Sequence, residues 1–192
     1  MLCLSSKTLA GKRLSAIGLI LTFSPMAILF APVLISSIDE WIHDKRYNTF
    51  VDGVKFNKEM TVLINYPCFK KETNYTIPDS VTSIRYSAFS GCINLTSITI
   101  PDSVTSIGDY AFELSGLTGI TISDNVTILE TGTFRSCESL TNITIPDSVT
   151  TIEKWVFDNC TSLKNVTIPD SVTSIGSVAF NACSSLKSVK IP

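Results

Sequence analysis

Histidine is almost missing from this chain: His43 is the single one among 192 residues. With no second imidazole to share an ion and only ordinary charges around it, His43 reads as an exposed linker residue. The six cysteines contain no CxxC pair, so the close ligand spacing of a zinc site is lacking and no metal is expected. Also absent are a Gly-rich phosphate loop, a GxSxG turn and an HExxH helix, the arrangements that cradle phosphate, expose a strained nucleophile or hold a catalytic zinc. No catalytic residues and no cofactor are expected, and the chain reads as a non-enzyme. Positive charge is scarce where most of the chain lies. Residues 77–192 hold 6 Lys or Arg against 11 Asp or Glu, a net charge of −5, which repels phosphates and argues against a nucleic-acid partner.

Charge of either sign is thin overall, at 17% of residues, and mean hydropathy is +0.31, apolar for a soluble domain. The excess has a local cause. Residues 14–38 run for 25 positions without one charged side chain, preceded by Lys7, Lys12 and Arg13 and followed by Asp39 and Glu40. About 20 residues cross a bilayer, so the leading reading is a signal anchor retained in the membrane. A cleaved signal peptide is the second, with Pro25 and Pro32 shortening the helix and poor cleavage sites near Ala27 and Ala31; a buried helix is the third. The basic residues stay cytoplasmic, so the rest is expected membrane-anchored and extracytoplasmic, or secreted.

What the chain does have is repetition. Copies of one pattern start at Ile77, Ile100, Ile122, Ile145 and Ile168, and the last closes on Ile191. A fixed period of this size predicts stacked coils and not one closed core. Laid over one another, the copies give a column of Leu95, Leu117, Leu140, Leu163 and Leu186. Three residues on stand Ile98, Ile120, Ile143, Val166 and Val189, and two further on Ile100, Ile122, Ile145, Ile168 and Ile191. Alternation of this kind marks a short strand with branched side chains inward. A second apolar pair, such as Val81 with Ile84, follows, and then the aromatic column Phe89, Phe112, Phe134, Phe157 and Phe180. Asp79, Asp102, Asp147 and Asp170 recur because the IPDS turn recurs; Pro presets φ there and Asp is expected to bond local backbone.

Cys92, Cys137, Cys160 and Cys183 form one more column, which the copy starting at Ile100 lacks because it is a residue short, reading Glu113, Leu114, Ser115, Gly116. An even cysteine count invites disulfides. A position filled by Cys in four coils and a small residue in the fifth behaves instead as a buried small hydrophobe, so free thiols are expected.

The string IPDSVTSIRYSAFSGCINLTSITIPDSVTSIGDYAF, residues 77–112, resembles the BspA-like leucine-rich repeat family. In the pattern LxxLxLxxN, Leu95, Ile98 and Ile100 fit, while Ser103 stands in place of Asn, as do Ser80, Ser148 and Ser171; Asn125 alone keeps it. A short polar side chain able to bond buried turn backbone suffices at that position. The resemblance implies a leucine-rich-repeat solenoid of the α/β horseshoe class, β-rich with parallel strands, preceded here by the transmembrane or signal helix. It also implies adhesion to matrix proteins or other cells.

Five stretches follow: residues 1–13 as a cytoplasmic N-terminus, 14–38 as the apolar segment, 39–52 as a juxtamembrane linker, 53–76 as an N-terminal cap built on a hairpin, and 77–192 as five repeats. The last inner residue is followed by no polar cap, so self-association through that end is a further expectation.

The outward side of the strands remains for recognition. Ser97, Thr99, Thr121, Asn142, Thr144, Asn165, Thr167, Ser188 and Lys190, with Gly119, alternate with the buried column and form two exposed rows. Nothing in them suggests a pocket; a row of hydroxyls and amides suits an extended protein or glycan surface. Asn74, Asn94, Asn125, Asn142, Asn159 and Asn165 stand in N-x-Ser/Thr sequons, sites for glycans in a eukaryote. The expected function is a cell-surface binding module for protein recognition or adhesion. The alternatives are a regulatory or scaffold fragment of a larger surface assembly, an enzyme fragment, and a threonine array matched to a crystalline ligand.

N-terminal sequencing of the mature protein tests the anchor: a terminus at Met1, with external protease removing the repeats, is expected, and a terminus between about Ala27 and Ile38 contradicts it.

Overall fold

The computed structural model describes residues 48–190, without the side chain of Lys190. The expectations for residues 1–47, His43 and the apolar segment among them, lie outside the described residues, as do Ile191 and Pro192.

The first described elements are antiparallel. β1 (Asn48–Val51), β2 (Val54–Asn57) and β3 (Val62–Asn65) form a meander, so a strand begins inside the stretch expected to be linker. Asp52 and Gly53 close the first turn with φ of 49° and 80°, the left-handed pair that a two-residue hairpin of matching twist requires. The second turn is held by Asn57, whose Oδ1 accepts from the amides of Thr61 and Val62, both at 2.8 Å.

From β3 onward the chain coils. One long side is a six-stranded parallel sheet of β4 (Asn74–Thr76), β6 (Ser97–Thr99), β8 (Gly119–Thr121), β10 (Asn142–Thr144), β12 (Asn165–Thr167) and β14 (Ser188–Lys190). The opposite side carries two-residue strands. β5 (Ser83–Ile84) and β7 (Ser106–Ile107) extend the meander through β3, and β9 (Ile128–Leu129), β11 (Thr151–Ile152) and β13 (Ser174–Ile175) form a separate sheet. The break between β7 and β9 falls at the copy with the shortened period. The result is a parallel β-solenoid, and no helix occurs among the described residues. This corrects the α/β horseshoe expectation. The return side is an apolar pair flanked by turns, too short for a helix, whose mean length is about 11–12 residues.

Two left-handed residues per coil bend the chain around each Phe. They are Ser87 and Gly91, Tyr110 and Leu114, Gly132 and Ser136, Trp155 and Asn159, Val178 and Ala182, all with φ between 51° and 76°. For Trp and Val such a conformation costs about 1–2 kcal/mol. The backbone explains why it persists: the amides of Ser87, Phe89 and Gly91 donate to the carbonyls of Asp109, Ala111 and Glu113 in the next coil, and the triplet repeats in every later coil through Asn159. The turn is thus fixed by inter-coil bonds and indifferent to side-chain type.

The interior follows the sequence columns. Phe89, Phe112, Phe134 and Phe157 are fully buried and stack at 5.3, 5.4 and 5.7 Å between centroids, with Tyr66 below and Phe180 above in the same pile. Ser103, Ser148 and Ser171 donate to the carbonyls of Val81, Val126 and Val149 at 2.7, 2.6 and 2.7 Å, and Asn125 reaches Asp102 O at 2.7 Å. These bonds give the expected polar column its purpose. The IPDS turn also differs in detail from expectation. Pro78 O accepts from Val81 N, so Pro opens the turn, and the exposed Asp side chains form no hydrogen bond among the described residues.

Cys92 corrects the free-thiol expectation: it is bridged to Cys68, which the cap brings to a Cα separation of 4.4 Å. Cys137, Cys160 and Cys183 are free as expected, each donating to the Phe carbonyl of the preceding coil at 3.0, 3.1 and 3.0 Å. Ser115 fills the column in the short copy, 3.3 Å from Cys137 Sγ. The missing residue is absorbed at Gly116, where a Cβ would lie 2.1 Å from Ile93 O.

Gly116→Ala is therefore expected to lower stability by about 1–3 kcal/mol through overpacking against rigid backbone, whereas Gly119→Ala, with its nearest atom at 3.7 Å, changes the melting point little; urea denaturation of both variants checks the contrast. Burial pushes the Cys137 thiol from 9.0 up to about 11. A folded pKa above the unfolded one gives stability that is complete below pH 9 and lost as pH rises toward 11, so this contribution should fall across that window, and Cys137→Ala should flatten the pH dependence measured there.

Candidate binding face

In-register pairing turns the alternation of each strand into two continuous rows. Thr76 pairs with Thr99, Thr99 with Thr121, Thr121 with Thr144, and Thr167 with Lys190. The second row runs from Asn74 beside Ser97, through Gly119, Asn142 and Asn165, to Ser188. The structure thus brings all the expected site residues onto one face; Ser97, Thr99, Thr121, Asn142, Thr144, Asn165, Thr167 and Ser188 are exposed, and Lys190 is placed by its backbone. Two members were missed, Asn74 and Thr76. The signal was present, since Tyr75 and Ile77 already match Ile98 and Ile100 in the repeat pattern.

The face is gently hollowed, not flat. An open groove of about 550 Å³ lies over β6, β8 and β10, bordered by Ser97, Thr99, Gly119, Thr121, Asn142 and Thr144. Gly119, without a side chain, leaves the row lowest at its middle. Rows of this kind offer hydroxyl and amide groups at a spacing of about 4.8 Å on a base whose backbone is already bonded. Thr96, Thr118 and Thr141 brace its margin, each donating a hydroxyl to the preceding coil's carbonyl at 3.0, 3.3 and 2.9 Å.

Electrostatically the groove is quiet, with no charged side chain on its border. The paired charges sit elsewhere: Arg135 bridges Glu113 at 2.9 Å and Asp158 at 3.2 Å across three coils. Tyr75, the inward residue of the first strand, packs on Tyr66 and Phe89 beneath the rows and is held at about 12 by burial, then by Tyr66 and Asp52, so it is a neutral phenol at physiological pH. Among the described residues no group of three His, Cys, Asp or Glu side chains is placed to hold a metal, and no helix is long and apolar enough to cross a membrane. Of the sequon residues, Asn142 and Asn165 project from the rows, whereas Asn125 and Asn159 use their side-chain amides in bonds to the preceding coil, on Asp102 O and Ser136 Oγ.

Comparison with known proteins agrees with this geometry. The family model described as a BspA type leucine rich repeat region matches residues 62–187 in six copies, the first beginning within the segment read as cap. The chain is similar to a solved leucine rich cell surface protein of Faecalibacterium prausnitzii, with 35% identity and a TM-score of 0.72 over 75% of this chain and 39% of that one. A leucine-rich repeat protein of Eubacterium ventriosum is 31% identical with a TM-score of 0.70, over 76% and 40% of the two chains. The leucine rich repeat protein of T. pallidum is 29% identical with a TM-score of 0.66, over 77% and 70%. The chain therefore spans about two fifths of the first two neighbours. No curated protein matches it.

Proposed function

We propose, because the chain belongs to the BspA-type leucine-rich repeat family, that it is a non-catalytic recognition module displayed outside the cytoplasm and that it binds a protein partner on its strand face. The observation that carries this reading is the pair of exposed, uncharged rows over a backbone-bonded sheet. Such a surface is rigid before binding, so little ordering entropy opposes association, and its hydroxyls and amides both donate and accept toward an extended segment. Similarity to a leucine rich cell surface protein of Faecalibacterium prausnitzii supports display, and the apolar run of residues 14–38 supplies a means of anchoring. Adhesion to matrix or to another cell is the physiological role that fits.

Purified chain is expected to retain one or more proteins from a panel of purified matrix and cell-surface proteins. The double substitution Thr121→Lys and Asn142→Lys, which crowds the groove without touching the core, should weaken that binding at least about tenfold with an unchanged melting temperature. Turnover in a hydrolase screen without binding, or binding indifferent to the two lysines, would overturn the reading.

A further inference from the structure

A second recessed site lies on the opposite side of the solenoid, where no exposed row was expected. Its origin is Gly108. In successive coils the same outward position is held by Arg85, Gly108 and Glu130, so the missing side chain opens a gap between a cation and a carboxylate whose coils are about 10 Å apart. Glycine is required there because a Cβ would meet Tyr86 N at 2.7 Å. The resulting notch is shallow and open to solvent, with a volume of about 410 Å³.

Its lining is chemically mixed. Ser83 and Ser106 lie on its floor with their hydroxyls joined at 2.8 Å. Tyr86 stands beside it with 62% of its surface exposed, its ring set edge-on to Tyr110 at 5.9 Å. The half-buried carboxylates of Asp109 and Glu130 complete the wall. Among the described residues no side chain donates to either carboxylate, and Arg85 has no ion-pair partner. Burial, and behind it the charges of Asp109 and Glu153, raises the Glu130 carboxyl, as for an acceptor set in the wall with no counter-ion.

A ligand of one charge would satisfy one end of this notch and meet repulsion at the other. Phosphates face two carboxylates; a cationic side chain faces Arg85. A neutral polyhydroxylated molecule satisfies both, donating hydroxyls to Asp109 and Glu130, accepting from Arg85, and laying a C–H face on the Tyr86 ring. We infer that the notch between Arg85 and Glu130 is a binding subsite for a neutral saccharide, separate from the protein-binding strand face and not dependent on it.

The test uses the full chain in mild detergent on an array of neutral, sialylated and sulfated glycans, followed by calorimetry with the neutral oligosaccharides retained. Tyr86→Ala and Glu130→Gln should each weaken binding by about tenfold or more, the loss expected for a hydrogen bond to a charged group or a ring contact. Tyr86→Phe, which keeps the ring, should bind nearly as the native chain does, and melting curves of all three verify that they fold. The strand-face substitutions Thr121→Lys and Asn142→Lys should leave saccharide binding unchanged. Retention of no neutral glycan, selection of sulfated or sialylated glycans or of basic peptides, binding insensitive to Tyr86→Ala, or loss of binding on the strand-face substitutions would each overturn the assignment.

Discussion

Each coil depends on the backbone of the next one lying in register at about 4.8 Å. A single coil has a few buried apolar side chains and cannot offset the roughly 1–2 kcal/mol of backbone entropy lost per residue. Stacking closes the account through three ladders: the parallel sheet, the short strands of the return side, and the amide triplets around each Phe. The Phe pile and the Ser103, Ser148 and Ser171 bonds add side chains to the same repeat. Left-handed Trp155 and Val178 are tolerated only because these ladders determine the backbone around them.

The same constraint shapes what the surface can be. Inward positions are committed to packing, and edge positions such as Thr96 and Thr118 to bracing the coil before them. Only the outward strand positions and the corners are free to vary. Register makes any residue type repeated outward into a line, which is why a modest preference for Thr and Asn yields a continuous polar face. Loss of a side chain in such a line makes a depression: the groove on the strand face includes Gly119, and the notch on the return side includes Gly108.

Much of this was legible in the sequence, for a physical reason. Columns that face the core admit few side chains, so Leu95, Ile98 and Phe112 announce their positions by recurrence. The outward rows followed by alternation alone. What escaped was whatever the backbone fixes without regard to side chain: the left-handed positions hold Ser, Tyr, Gly, Trp and Val in turn, with no pattern to read. The Cys68–Cys92 bridge escaped because Cys68 stands outside the 23-residue column, in a cap of different spacing. The notch at Gly108 escaped because it is made by the difference between three neighbouring coils, and columns reward sameness.

The central claim is that the strand face is where a protein partner sits. Site-specific photo-crosslinking addresses it most directly, with a benzophenone side chain placed at Thr121 or Thr144 in the groove, or at the exposed Thr105 or Thr150 at the margin of the return side. Covalent capture of the bound protein from positions 121 and 144, and none from 105 and 150, is the result expected. Capture from 105 and 150 alone would contradict the account.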